Sequence, residues 1–174
     1  MSTWKIDPTH STLEFAAKHM MITTVKGSFS DVQGTITLDP AAPAAEVAIP
    51  VASITTRVAD RDAHLKSPDF FDAETHPEIT FRSTGIEGPF AQPGDAFTLL
   101  GELTIRGTTK PVAIKATFEG QGKDPWGGTR ASFLGSTTID RRDFGLTWNA
   151  ALETGGVLVS NDIKITLDVQ AVAA

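Results

Sequence analysis

Apolar and polar residues alternate along most of this chain of 174 residues. Strict alternation is typical of a β-strand that buries one face and exposes the other. Turn-forming clusters separate most of the alternating segments, and two of these predicted turns are Gly107–Pro111 and Gly120–Gly128. The pattern predicts about eight strands, at residues 11–19, 32–38, 47–51, 79–83, 97–106, 112–118, 131–139 and 162–169.

Only one face of each predicted strand is apolar, as in an antiparallel sheet with one side in solvent. Eight such strands suit a closed barrel, which leaves no sheet edge exposed, and a two-layer sandwich is the alternative. Residues 58–66 break the alternation and predict one short helix, with Asp60 as its cap and Pro68 just beyond its end. No repeat, linker or second domain is visible, so we predict one all-β domain over residues 1–174.

Composition excludes several classes of protein. The chain has no cysteine, so it has no disulfide, thiol nucleophile or thiolate metal site. Its net charge is −6 and it lacks a basic stripe, which argues against nucleic-acid binding. No segment approaches the ~18 apolar residues of a membrane-spanning helix. Residues 1–18 contain no apolar run of secretory length and no cleavage pattern, so we expect a cytoplasmic protein.

Motifs for catalysis or metal binding are not visible. The four histidines have no spacing that by itself brings two metal ligands together, and no nucleophile elbow or phosphate-binding loop is present. We therefore predict no metal site and no catalytic residue. His19 shares the parity of Phe15 and would face the interior, as a polar pocket residue or as a core histidine. Arg141 would also face inward, either to hold the polar end of a ligand or to anchor Phe144–Leu146.

Arg61, Asp62 and His64 fall within one turn of the predicted helix. They would form a lid at the mouth of a barrel, or they would cap the helix and make surface ion pairs. Surface ion pairs contribute little to stability. The structural interpretation is the one we favour.

The aromatic content is unusual, with 10 Phe and 3 Trp but no Tyr. The interior of a small barrel either packs solid or holds one ligand. Rings without hydroxyls suit a dry wall, and they also suit an ordinary core. Composition alone leaves both interpretations open.

Short motifs follow one another in order along nearly the whole chain, from Trp4 to about Val169. The ordered set resembles the YceI-like, polyisoprenoid-binding family, although no single motif is decisive. The motifs are Trp4–Asp7, His10-Ser11, Gly27–Phe29, Ser53–Thr56, Arg61–Leu65, Asp69–Asp72, Pro77–Phe81, Gly101–Gly107, Lys110–Val112, Ile139–Arg141 and Asp143–Leu146.

The resemblance implies a lipocalin-like, eight-stranded antiparallel barrel with a short helix near one mouth. It implies a non-enzymatic protein, commonly a homodimer, that holds a long apolar lipid such as a polyisoprenoid or isoprenoid quinone and needs no further cofactor. The alternatives are an enzyme acting on an apolar substrate in the barrel and a solid-core interaction domain. By inward parity, the candidate ligand-binding residues are His19 and Arg141 for a polar head group, and Leu13, Phe15, Phe81, Phe118, Phe133, Phe144 and Trp148 for an apolar wall.

Overall fold

Antiparallel β-strands form most of the computed structural model, which describes residues 2–153 and 155–174. A single α-helix, α1 (Ala59–Lys66), occurs among these residues. The strands are β1 (Thr3–Ile6), β2 (Thr12–His19), β3 (Thr23–Phe29), β4 (Gln33–Thr37), β5 (Ala44–Pro50), β6 (Ile54–Thr55), β7 (Glu78–Glu87), β8 (Ala96–Ile105), β9 (Thr108–Lys123), β10 (Thr129–Asp140) and β11 (Asp162–Ala173).

Three long strands are interrupted, so eleven segments build an eight-stranded barrel. β1 and β2 are two halves of one strand, broken at Pro8–His10, and they pair with β4 and β3 respectively. β3 and β4 are the two halves of the next strand. β5 and β6 are the halves of the third, and they pair with β4 and β3 on the other side. Each long strand pairs with the next one in the chain, and β11 closes the ring by pairing with both β1 and β2. The prediction of an eight-stranded antiparallel barrel is confirmed.

Several strand boundaries differ from the predicted ones. β1, β3 and β6 were not predicted, because β1 and β6 are short and β3 carries only two apolar side chains. The predicted turn at Gly107–Pro111 is wrong: β9 already begins at Thr108, after a tight turn in which Arg106 and Gly107 are left-handed. β9 also runs on to Lys123, into the predicted turn at Gly120–Gly128. Backbone pairing continues here through polar residues and glycines that interrupt the side-chain pattern.

The carboxylate of Asp7 ties the break between β1 and β2 to strand β10. It accepts hydrogen bonds from the Thr9 backbone N–H and hydroxyl at 2.9 and 2.7 Å, and from Arg130 Nη1 at 2.7 Å. The Arg130 guanidinium also donates to Asp124 at 2.9 Å and to Gln170 at 2.8 Å. The hydrogen bond from the Thr9 hydroxyl, followed by that from Arg130, holds the pKa of Asp7 well below its ordinary value.

We expect Asp7→Asn to lower the free energy of unfolding by about 1–3 kcal/mol at neutral pH, because charge-assisted hydrogen bonds are lost. The folded-state pKa is depressed, so this stabilisation is present in full above the unfolded pKa of about 4 and is lost as the pH falls from there through the lower folded-state pKa. The melting temperatures of wild type and variant should therefore begin to converge below about pH 5 and continue to converge below pH 3. Asp168→Asn, at an exposed position of β11, is the control and should match wild type throughout. A gap of constant size down to pH 3 would contradict this role of Asp7.

The helix α1 lies where predicted, but Asp60 is not its cap. Val58 occupies the N-cap position without a side-chain hydrogen bond. Asp62 instead accepts the Thr56 backbone N–H at 2.7 Å and the Thr56 hydroxyl at 2.5 Å, and these bonds lower the pKa of the Asp62 carboxyl. Arg61 donates to the Thr56 hydroxyl and carbonyl, both at 2.8 Å. Arg61 and Asp62 thus hold the chain that enters the helix by hydrogen bonds to Thr56. Of the two earlier alternatives, a lid or a structural role, these bonds match the structural role. Within the described part of the chain, no helix is long and apolar enough to cross a bilayer.

Candidate functional site: an apolar cavity in the barrel

A cavity of about 290 Å³ lies inside the barrel. Its volume is close to the lower end of the range for small-molecule sites, roughly 300–1,000 Å³. Nine of the ten phenylalanines line it, and the surface that faces the cavity is apolar. Thr37, Thr137 and Arg141 are the polar side chains among the described lining residues. The absence of tyrosine thus has a structural counterpart, a phenyl-lined interior that demands no hydrogen bonds from its contents.

Two buried clusters flank the cavity, and residues of both contribute to its wall. The larger one lies towards the end of the barrel that carries α1, and includes Phe29, Phe70 and Phe144. The smaller one lies at the opposite end, around Trp4 and Phe97. Aromatic contacts run through both clusters, with ring centroids 6.0 Å apart for Phe29–Phe71 and 6.5 Å for Phe97–Phe133.

Glycines on neighbouring strands give two of the lining rings room to lie against the wall. Phe15 pairs with Gly27 across β2 and β3, and a Cβ at Gly27 would lie 2.3 Å from the Phe15 ring. A Cβ at Gly101 would lie 2.4 Å from the Phe81 ring. Such distances are far below van der Waals contact. These glycines therefore keep the rings out of the lumen and help to leave the cavity open.

We expect Gly27→Ala to push the Phe15 ring towards the lumen and to shrink the cavity. Overpacking of this kind lowers the free energy of unfolding by about 1–3 kcal/mol. The amount of apolar ligand taken up per protein should fall as well, as measured by extraction after saturation with a lipid. Gly122→Ala is the matched control, because a Cβ there meets no atom within 4 Å. Equal uptake by the two variants would contradict the role of Gly27.

The segment that follows α1 covers one end of the cavity. Leu65 of the helix and Phe70 and Phe71 after it all line the cavity. His64 Nε2 lies 2.8 Å from Asp69 Oδ2, and Arg106 Nη1 donates to the Phe70 carbonyl at 2.9 Å. These bonds fix the two phenylalanines over the end of the barrel where β6 pairs with β3 and β7 with β5.

Arg141 is buried, with 4% of its surface exposed, and it lies at the cavity wall. Its guanidinium donates to three backbone carbonyls: to Ser160 at 2.9 Å, Leu146 at 2.7 Å and Val159 at 3.4 Å. Burial lowers the pKa of Arg141. These bonds match the predicted anchoring role, since they hold the chain after β10 against the chain before β11. A contact between Arg141 and a ligand head group stays a prediction.

The predicted wall and head-group residues divide into two sets. Three of the nine candidates do not line the cavity. His19 ends β2 and pairs with Val159, and on this strand the cavity lining reaches only to Ala17. Phe118 packs against Phe133, with their ring centroids 5.3 Å apart. Trp148 packs against Phe70, which follows α1. Those that line it are Leu13, Phe15, Phe81, Phe133, Arg141 and Phe144.

Sequence reasoning did not select several lining residues. Phe97 already has inward parity on the predicted strand 97–106, and Phe29 would have had it once β3 was recognised. Phe70, Phe71 and Phe90 lie outside the strands, where no periodicity marks the buried face. Only the closed shape of the barrel brings these rings to the cavity. Over residues 2–153 and 155–174, no group of three or more His, Asp or Glu side chains is arranged to hold a metal ion.

Known proteins are similar to this chain along its length. A family model described as a YceI-like domain matches residues 4–171. A protein of Pseudomonas aeruginosa described as UPF0312 is 38% identical over 174 residues, which covers 97% of this chain and 86% of the relative. The sequence resemblance to the family is thereby confirmed.

Solved structures share the fold. BcnA of Burkholderia cenocepacia superimposes with a TM-score of 0.79 at 24% identity, covering 95% of this chain and 98% of that protein. A domain of Saccharophagus degradans described as polyisoprenoid-binding gives a TM-score of 0.74 at 15% identity, covering 98% of both chains. At these identities the likeness concerns the fold alone.

Proposed function

The chain belongs to the YceI-like family, and on that premise we propose that it binds one long apolar lipid inside the barrel. The ligand class is a polyisoprenoid or an isoprenoid quinone. The protein carries or stores this lipid and returns it chemically unchanged. The observation that carries the proposal is the apolar, phenyl-lined cavity at the centre of the fold. The polyisoprenoid-binding domain of the same fold supports the choice of ligand class.

The cavity wall favours binding over catalysis. Burial of apolar carbon contributes about 0.8 kcal/mol per CH₂, so one five-carbon isoprene unit contributes roughly 4 kcal/mol before ordering costs. Among the described lining residues, Thr137 donates to the Ala113 carbonyl at 2.9 Å, and Arg141 donates to carbonyls. The described wall thus gives a hydrocarbon chain an apolar environment. Its described residues include no carboxylate, histidine or lysine that could act as an acid, base or nucleophile. A solid-core interaction domain would need no such cavity.

Arg141 is our candidate for the polar end of the ligand. Its Nη1 and Nη2 atoms each carry a second N–H, for which the described residues provide no hydrogen-bond acceptor. An oxygen of the ligand, such as a quinone carbonyl or a prenol hydroxyl, would complete this set. The surface that faces the cavity is apolar, so the guanidinium would have to turn towards the lumen to make this bond, which would then orient the chain of the lipid along the barrel.

Extraction of the purified protein with organic solvent, followed by mass spectrometry, tests the proposal. A polyprenol or quinone at close to one molecule per protein is expected. The stripped protein should then take up added quinone, and it should take up squalene, a hydrocarbon without a polar group, more weakly. Recovered lipid that is chemically altered with time would favour an enzyme. Neither bound lipid nor uptake of any of these probes would refute lipid binding.

A further inference from the structure

Three consecutive apolar side chains are exposed at the turn between β2 and β3. Met20, Met21 and Ile22 are 46%, 61% and 79% exposed. Single exposed apolar residues are ordinary, but a consecutive run on a folded surface marks a place where the protein meets another apolar phase. We call residues 20–22 the hairpin tip.

The backbone conformation of the hairpin tip disfavours the residues that occupy it, so the stability of the turn does not explain their presence. Met20 and Met21 are both left-handed, with φ of +54° and +63°. This conformation is unfavourable for residues with a Cβ, and turns that need it at two positions normally use Asn-Gly. Two other pairs of consecutive described residues have positive φ: Gly155-Gly156 uses two glycines, and Arg106-Gly107 has one glycine and uses its arginine to bond the Phe70 carbonyl. Met21 places its sulfur against Gly156, but neither methionine is a residue that such a turn favours, and both remain exposed.

Lysines lie beside the hairpin tip on the outer face of the barrel. Lys26 and Lys164 flank Ala16, which is the cross-strand partner of both, and Lys18 lies two residues further towards the tip. All three lysines are exposed. Among residues 2–153 and 155–174 none of them forms an ion pair, although Lys18 Nζ donates to Thr24 Oγ1 at 2.8 Å. Glu14 and Asp162 are exposed on the same face, so the three lysines outnumber two carboxylates there. A chain of net charge −6 thus carries a local excess of positive charge next to its apolar tip.

We propose that the hairpin tip docks the protein on an anionic membrane surface. Met20, Met21 and Ile22 enter the boundary between head groups and acyl chains, and the lysines meet the lipid phosphates. Apolar insertion combined with basic side chains is the pairing by which peripheral proteins bind membranes. An unpaired lysine cluster complements phosphates better than it complements a second copy of this acidic chain.

The hairpin tip is attached directly to the cavity wall. His19 pairs with Val159, and the Met20 N–H donates to the Leu158 carbonyl at 2.8 Å. Val159 and Ala17 both line the cavity. A docked tip would therefore bring the end of the barrel close to the bilayer. The proposal itself does not depend on which lipid the barrel holds, or on whether it holds one.

Flotation of the full-length chain with vesicles tests the docking. The wild type should bind vesicles of phosphatidylcholine mixed with phosphatidylglycerol more strongly than pure phosphatidylcholine, and less strongly at high salt. The double variant Met20→Asn/Met21→Gly installs the preferred turn residues, so it should be at least as stable as wild type. Its vesicle affinity should nevertheless fall about tenfold or more.

Two further variants separate the contributions. The triple variant Lys18→Gln/Lys26→Gln/Lys164→Gln should lose about fivefold in affinity per lysine and most of its salt dependence. Trp126→Ser is the control, because Trp126 is 85% exposed in the turn between β9 and β10 at the opposite end of the barrel. It should bind vesicles like wild type.

Three outcomes would overturn the proposal. The first is wild-type vesicle binding by the tip variant, and the second is loss of binding in Trp126→Ser. The third is a wild type that ignores vesicles but forms a dimer that the tip variant splits, which would make the tip an interface between copies. Lipid content of the tip variant, measured by extraction, should equal that of wild type. Docking and cavity binding can therefore fail independently.

Discussion

Phe81→Asp is expected to abolish lipid retention and to lower the free energy of unfolding by about 3–5 kcal/mol. Phe81 is buried and lines the cavity, so the variant places a carboxylate in an apolar wall. Arg82, the next residue of β7, faces outward and pairs with Glu102. Burial of an unpaired charge is costly, and the same group removes the apolar surface that holds the hydrocarbon. Mass spectrometry of the extracted variant and thermal unfolding measure the two effects.

Two control variants separate the effect of the buried charge from a general effect of substitution. Phe81→Leu leaves the wall apolar and should retain the lipid. Thr80→Asp adds the same charge at an exposed neighbouring position of β7 and should match wild type in both measurements. If Phe81→Asp remains folded at low temperature and still holds lipid at wild-type stoichiometry, the cavity is not the binding site.

Arg141→Leu is expected to lower the free energy of unfolding by about 3 kcal/mol or more. Three backbone carbonyls would lose their donor in a buried site, and the chain between β10 and β11 would lose its anchor. For a chain of this size the melting temperature should drop by about 6–12 °C. Thermal unfolding followed by circular dichroism measures the change.

The neighbouring arginine provides the control. Arg142 is exposed and donates to Asp140 at the surface. Arg142→Leu should change the melting temperature very little, since such pairs are screened by solvent. Equal effects of the two substitutions would show that the buried carbonyl bonds of Arg141 do not stabilise the fold.

The barrel was predictable because its main strands are half-buried, and a half-buried strand records its orientation in every second residue. The alternate apolar residues predicted to face inward do so in β7, β8 and β10. The lining positions Phe81 and Phe133 follow from this alternation. The helix was predictable for the opposite reason: residues 59–66 interrupt the alternation and end before Pro68. Local pattern and fold agree in these segments.

Other parts depend on contacts that no local pattern records. Asp60 has the composition of a cap, but Asp62 reaches back to Thr56 because the chain before the helix approaches from that side. His19 has inward parity, but it stands at the end of β2, and the cavity lining on this strand ends two residues earlier, at Ala17. Phe118 has inward parity too, but its ring packs against that of Phe133, and Phe133 rather than Phe118 lines the cavity.

The way in which β11 closes the barrel bears on how the protein is made. Trp4 pairs with Ala173, so the first and last strands meet only after nearly the whole chain is available. Pairing over such sequence separation requires loop closure before any stabilisation is gained, and barrels of this kind fold slowly, in milliseconds to seconds. Until β11 is synthesised and pairs with β1 and β2, the sheet stays open and its phenyl-lined face is exposed to solvent. A ligand of the cavity can therefore be enclosed only after β11 has paired with β1 and β2.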